Sequence, residues 1–71
     1  MSEFKEGDRI VEIGYRSIYR VWGTDYNGSV YRLENFGTDN RYRTTNIFGR
    51  TWVEANFVKV GDGRKESDHD L

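Results

Sequence analysis

A chain of 71 residues without Cys must fold as one domain near the lower size limit at which an apolar core outweighs chain entropy, and neither a disulfide framework nor a thiolate zinc site can supplement that core. Eleven Lys and Arg against twelve Asp and Glu leave a net charge of −1, so bulk attraction to polyanions is excluded and any nucleic-acid site has to be a local patch. No apolar run is long enough to span a membrane and the opening Met-Ser-Glu-Phe-Lys-Glu lacks a signal-peptide core, which predicts a cytoplasmic protein with no membrane partner.

In chain order, Phe4-Lys5-Glu6-Gly7-Asp8-Arg9 is predicted to be a turn, with Gly7 taking a positive φ and Phe4 covering the open end of a barrel. It leads into a strand at Ile10-Val11-Glu12-Ile13, and Gly14-Tyr15-Arg16-Ser17 is a loop. The next strand is Ile18 to Thr24, rich in the β-branched and aromatic residues that suit a pleated surface, and Ser29 to Glu34 returns beside it. Their register depends on the turn between them. Asp25 as the first residue of a type I turn, with Gly28 as the left-handed residue of a bulge, puts Tyr19, Val21, Tyr31 and Leu33 on one face. On the other face Trp22 then meets Arg32 and Arg20 meets Glu34.

Asn35 to Asn40 is a turn-rich connection, and Arg41 to Asn46 alternates as a fourth strand, with Tyr42 and Thr44 inward, Arg41 and Arg43 outward, and Arg43 within reach of Glu34. Ile47-Phe48-Gly49 is expected to turn the chain into a closing element, Arg50 to Val60. There Glu54-Ala55-Asn56 interrupts the apolar residues too briefly for a helix of ordinary length, which predicts one tight 3-10 turn between two short strands. Trp52, Val53, Phe57 and Val58 are the core candidates of that element. The domain is expected to span 1–61, and the polar run 62–71 to be a flexible tail.

Two phrases, Phe4 to Ile13 and Trp52 to Val60, resemble Src-homology-3 domains. Phe-Lys-x-Gly-Asp before an apolar strand is similar to the family's diverging turn, and a short helical turn ending in Asn-aromatic-Val is similar to its closing segment. The resemblance implies an all-β fold, a five-stranded SH3-like antiparallel barrel with one 3-10 turn before the last strand. The pattern looks most like bacterial or phage SH3-like barrels, a group that binds proteins or nucleic acids by varied surfaces. Peptide-binding members use a Pro in the one-turn helix and a Tyr after its Asn to build a polyproline groove. Glu54 and Phe57 stand at those positions here, so the resemblance carries the barrel and not that groove.

Nothing in the sequence supports catalysis. The one His, His69, lies in the expected tail, and Asp62, Asp68, His69 and Asp70 there are read as a solvated charge run and not as a metal site. Gly14, Gly23, Gly28 and Gly37 occur singly, with no phosphate-binding loop. A non-enzymatic protein with no cofactor, no metal and no small-molecule substrate is expected.

The outward set Arg20, Trp22, Arg32, Arg41 and Arg43 is the most informative feature. An indole flanked by guanidinium groups can stack a nucleic-acid base while the charges meet phosphates, or it can anchor a protein interface. It can also be self-satisfied, with Arg32 over Trp22 and with Glu34 between Arg20 and Arg43. Tyr15, Tyr26, Phe36 and Phe48 form a second, loop-borne aromatic set. The expected function is a protein-interaction module that contacts its partner through Tyr15, Arg20, Trp22, Tyr26, Arg32, Phe36 and Arg43. The alternative is binding of single-stranded DNA or RNA through the same Arg and Trp face. A small subunit that completes a larger assembly is a third reading, and the sequence leaves the partner and the oligomeric state open.

Overall fold

A computed structural model describes residues 3–38 and 43–61. Its elements are β1 (Arg9–Glu12), β2 (Ile18–Asp25), β3 (Val30–Gly37), β4 (Thr44–Gly49), a helix α1 (Arg50–Asn56) and β5 (Phe57–Gly61). The five strands form one antiparallel sheet in the order β4-β3-β2-β1-β5. The predominantly β character and the five strands agree with the sequence. The sheet is not closed into a barrel: β4 and β5 are its two edges, and among the described residues no ladder joins them. Arg41, Tyr42 and the run 62–71, with His69 and its neighbouring carboxylates, lie outside the described residues.

Alternation on the strands decides where the core sits. Ile10, Val21, Tyr31, Leu33 and Phe57 are buried together with Phe4 and Val53, and Tyr19 and Phe48 pack against them. Cross-strand neighbours are Ile10 with Tyr19, Val21 with Leu33, and Tyr31 with Phe48. Each such side chain contributes roughly 1.5 to 3 kcal/mol on burial. The predicted inner set Tyr19, Val21, Tyr31 and Leu33 therefore shares one face. Phe4 packs its ring 5.9 Å from that of Tyr31, covering one end of the core. Gly7 has φ 92, the left-handed conformation its turn requires, and its N–H donates to the Val21 carbonyl at 2.7 Å.

Four expectations are corrected. The β2–β3 register begins as predicted, with Arg20 opposite Glu34 and Val21 opposite Leu33, but the next pair is Gly23 with Arg32. Trp22 is thus the extra residue of a bulge and does not face Arg32. Gly23, at φ 153, tolerates the distortion that follows. The hairpin turn is the second correction: Gly28 N–H donates to the Asp25 carbonyl at 3.0 Å, while Tyr26 and Asn27 have φ 53 and 58 where a type I turn has negative values. A turn of this hand matches the twist of the flanking strands, and Asn27 accepts it readily.

Third, Ile47, Phe48 and Gly49 belong to β4, which begins only at Thr44. Tyr31 opposite Phe48 and Arg32 opposite Ile47 keep the ladder running up to Gly49, whose φ of −60 starts the turn into the helix. Fourth, α1 is an α-helix of 7 residues and not a 3-10 turn. It is lengthened at its start by the Arg50–Glu54 pair, Nε to Oε2 at 2.9 Å, and at its end by Asn56 Nδ2, which donates to the Trp52 carbonyl at 2.9 Å. Of its core candidates Val53 and Phe57 are buried, whereas Trp52 and Val58 are each 45% exposed. Successive helical residues point about 100° apart, so a short helix with one covered side buries Val53 and leaves Trp52 out. Among the described residues no helix is long and apolar enough to cross a membrane.

Candidate interaction surface

The outer face of the sheet carries the predicted site residues, and Glu34 organises them. Its side chain, on β3 opposite Arg20, is buried, and Oε1 accepts a hydrogen bond from Trp22 Nε1–H at 3.1 Å. Arg20 lies with its guanidinium 5.7 Å above the Trp22 ring and with Nη2 3.9 Å from the same Glu34 oxygen. The bulge supplies the indole with this geometry: displaced by one residue, Trp22 lies within reach of the carboxylate instead of stacking on its former partner. Trp22 is 48% exposed, with its N–H bonded and one ring face covered.

Arg32 does not lie over Trp22, contrary to expectation. Its Nε donates to Asp25 Oδ2 at 2.9 Å and its Nη2 bonds the same oxygen, so it closes the base of the hairpin. Ile47, opposite Arg32 on β4, is exposed. Arg43 is placed over the Phe36 ring at 5.1 Å instead of beside Glu34, and pairs with no carboxylate among the described residues. Phe36 is a residue of β3 and not of a loop, and at 9% exposure its ring is covered. It is the extra residue where the β2–β3 ladder passes from Tyr19–Asn35 to Ile18–Gly37, and that second bulge tucks it under the arginine.

Tyr15 and Tyr26 are both exposed, but at opposite ends of β2: one in the β1–β2 loop, its N–H donating to the Glu12 carbonyl at 2.9 Å, the other in the hairpin turn. A strand of this length keeps them about 25 Å apart. The structure therefore brings Arg20 and Trp22 together around Glu34, sets Arg43 on Phe36, and leaves Tyr15 and Tyr26 as separate projections.

Sequence reasoning missed one aromatic cluster. Tyr19, Phe48, Trp52 and Phe57 form a chain of rings with centroids 5.3 to 6.4 Å apart, at the side of the sheet left open between β4 and β5. The Tyr19 hydroxyl is pushed above its ordinary value by burial and then by the nearby Glu12 charge. Starting the helix at Arg50 would have separated Trp52 from Val53 and placed its indole at this rim.

A second polar network lies at the inner side of β3. The Tyr31 hydroxyl accepts the Phe4 N–H at 3.1 Å and donates to Glu54 Oε2 at 2.7 Å. Arg50 stacks 5.4 Å above the Tyr31 ring, reaches Glu3 Oε2 with Nη2 at 2.8 Å, and donates through Nη1 to the Gly28 carbonyl at 3.3 Å. Burial first, and the bond to Glu54 second, push the Tyr31 phenol up. Glu54 is held below the usual carboxylate range, chiefly by the Tyr31 hydrogen bond and next by that from Arg50. These groups satisfy one another, and the arrangement joins the start of the chain, the hairpin and the helix.

Comparisons with protein-family models, with curated proteins and with solved structures returned no match to this chain.

Proposed function

We propose that this chain is a non-enzymatic protein-interaction module of SH3-like architecture, contacting its partner through the outer sheet face centred on Trp22. The strand order and the short helix placed between β4 and β5 support the architectural reading. One observation carries the functional reading: Trp22 is half exposed yet fixed, by its bond to Glu34 and by Arg20 on its ring. Immobilising a free side chain at an interface costs roughly 0.5 to 1.5 kcal/mol. An indole already held in place avoids most of that cost, and Trp and Arg are the residues that dominate interface energetics.

The same geometry favours a protein over a nucleic acid. Arg20 and Arg32 are each beside a carboxylate, Glu34 and Asp25, so phosphates would compete with bound carboxylates for the two guanidiniums nearest Trp22. Affinity capture with the immobilised chain, run beside a Trp22→Ala variant that keeps the wild-type far-UV spectrum, tests the reading. The expected result is a protein retained by the wild type and lost by the variant. Equal retention would refute it. Titration with single-stranded oligonucleotides at low and high salt tests the alternative, and tight binding that weakens steeply with salt would replace the protein reading with that one.

A further inference from the structure

The two edges of the sheet are built differently. β5 carries Lys59, and its ladder with β1 shifts register between Arg9 and Ile10; a charge and an irregularity are what keep an exposed edge from pairing with other chains. β4 has neither. Thr44-Thr45-Asn46-Ile47-Phe48-Gly49 contains no charge and no Pro, and its ladder with β3 runs without a break. Among the described residues no strand covers its outer edge.

The phase of that edge is fixed by one bond. Arg50 N–H donates to the Ser29 carbonyl at 2.9 Å, which marks 29 with 50 as a hydrogen-bonded pair. Antiparallel pairs alternate, so Phe48, Asn46 and Thr44 turn their main-chain groups toward β3. Thr45, Ile47 and Gly49 turn theirs outward. We infer that this edge is a docking site for an extended segment of a partner protein, which adds to the sheet as a sixth strand beside β4.

Charge complementarity selects the occupant. Arg43 stands immediately before β4 on the Phe36 ring, with no carboxylate of its own among the described residues. A second copy pairing through the same strand brings no acidic residue from its β4 to that guanidinium. The fitting segment alternates β-branched or apolar residues, one of them beside the exposed Ile47, and carries Asp or Glu at the end next to Arg43. The inference rests on the reading of the chain as an interaction module and adds the mode of recognition and the chemistry of the partner.

The test is selection of a phage-displayed random dodecapeptide library on the chain, followed by titration of the selected peptides against variants. Gly49→Pro removes one outward N–H at a residue that already has φ −60 and no atom within 4 Å of an added Cβ, so the variant folds as the wild type does. Selected peptides are expected to show the alternating pattern with an acidic end, to lose at least tenfold in affinity with Gly49→Pro, and to lose about fivefold with Arg43→Glu. Slowed amide exchange at Thr45, Ile47 and Gly49 on binding is expected as well. Peptides that bind Gly49→Pro as tightly as the wild type would overturn the edge proposal; if those peptides are weakened by Trp22→Ala, the outer-face reading stands without it. A library that yields no binder overturns the edge proposal. A dimer that Gly49→Pro dissociates would overturn the choice of occupant in favour of a second copy.

Discussion

Tyr31 and Glu34 are both buried on the same strand, three residues apart, and each centres a polar network, but the two networks serve different ends. Around Tyr31 the bonds are long-range: they join Phe4, Glu54 and, through Arg50, the Gly28 carbonyl. Around Glu34 they stay within one hairpin, reaching Arg20 and Trp22 on the adjacent strand. The inner network holds together the start of the chain, the β2–β3 hairpin and the helix. The outer one positions a single exposed ring. A small domain with modest stability is expected to keep its fold without the second and to lose much of its stability without the first.

The sharpest way to break the comparison is on the inner face. Leu33→Ala should cost about 2 to 5 kcal/mol, comparable to the whole stability of a domain this small, and urea denaturation should show a chain largely unfolded without denaturant. Tyr31→Phe keeps the ring and removes the hydroxyl, leaving the Glu54 carboxylate and the Phe4 N–H each short of a partner, at a cost of about 1 to 3 kcal/mol. A change below the detection limit would show that water replaces the hydroxyl and that the inner network is dispensable.

Acid should act through the same group. Glu54 is more acidic folded than unfolded, so the stability it supplies is present above the ordinary Glu value and is lost as pH falls through its lowered folded value. Urea midpoints for the wild type should therefore drop below about pH 4.5 more steeply than those of Glu54→Gln, and parallel curves would count against the assignment. The smallest effect belongs to the outer face. Glu34→Leu removes the acceptor of the indole N–H and should change stability by only about 0.5 to 1.5 kcal/mol, yet loosen the indole. In a Trp52→Phe background, where Trp22 is the one emitter, acrylamide quenching should rise. Quenching that stays unchanged would mean that Glu34 does not hold the ring.

How much of this was legible in the sequence follows from which forces act locally. The alternation of Tyr19 and Val21 with Arg20, and of Tyr31 and Leu33 with Arg32, is a property of pleated strands and gave the inner face directly. The Phe4 and Gly7 turn was legible for the same reason. The bulge at Trp22 was not, because a side-chain bond to a residue twelve positions away stabilises it. The length of α1 was missed because its apolar spacing does not register the charged Arg50–Glu54 pair that lies within it, and because the tie from Arg50 N–H to Ser29 comes from a distant part of the chain. The site changed accordingly: Arg20 took the place of Arg32 over the indole, and Phe36 moved from a loop to a covered position.

The bond from Arg50 N–H to Ser29 also acts as a ruler. It ends the straight run of main chain at Gly49, where the polypeptide coils away, so a visiting strand finds matching donors and acceptors over only about 20 Å. If a segment docks there as proposed, so short a seam would favour brief contacts over a permanent joint.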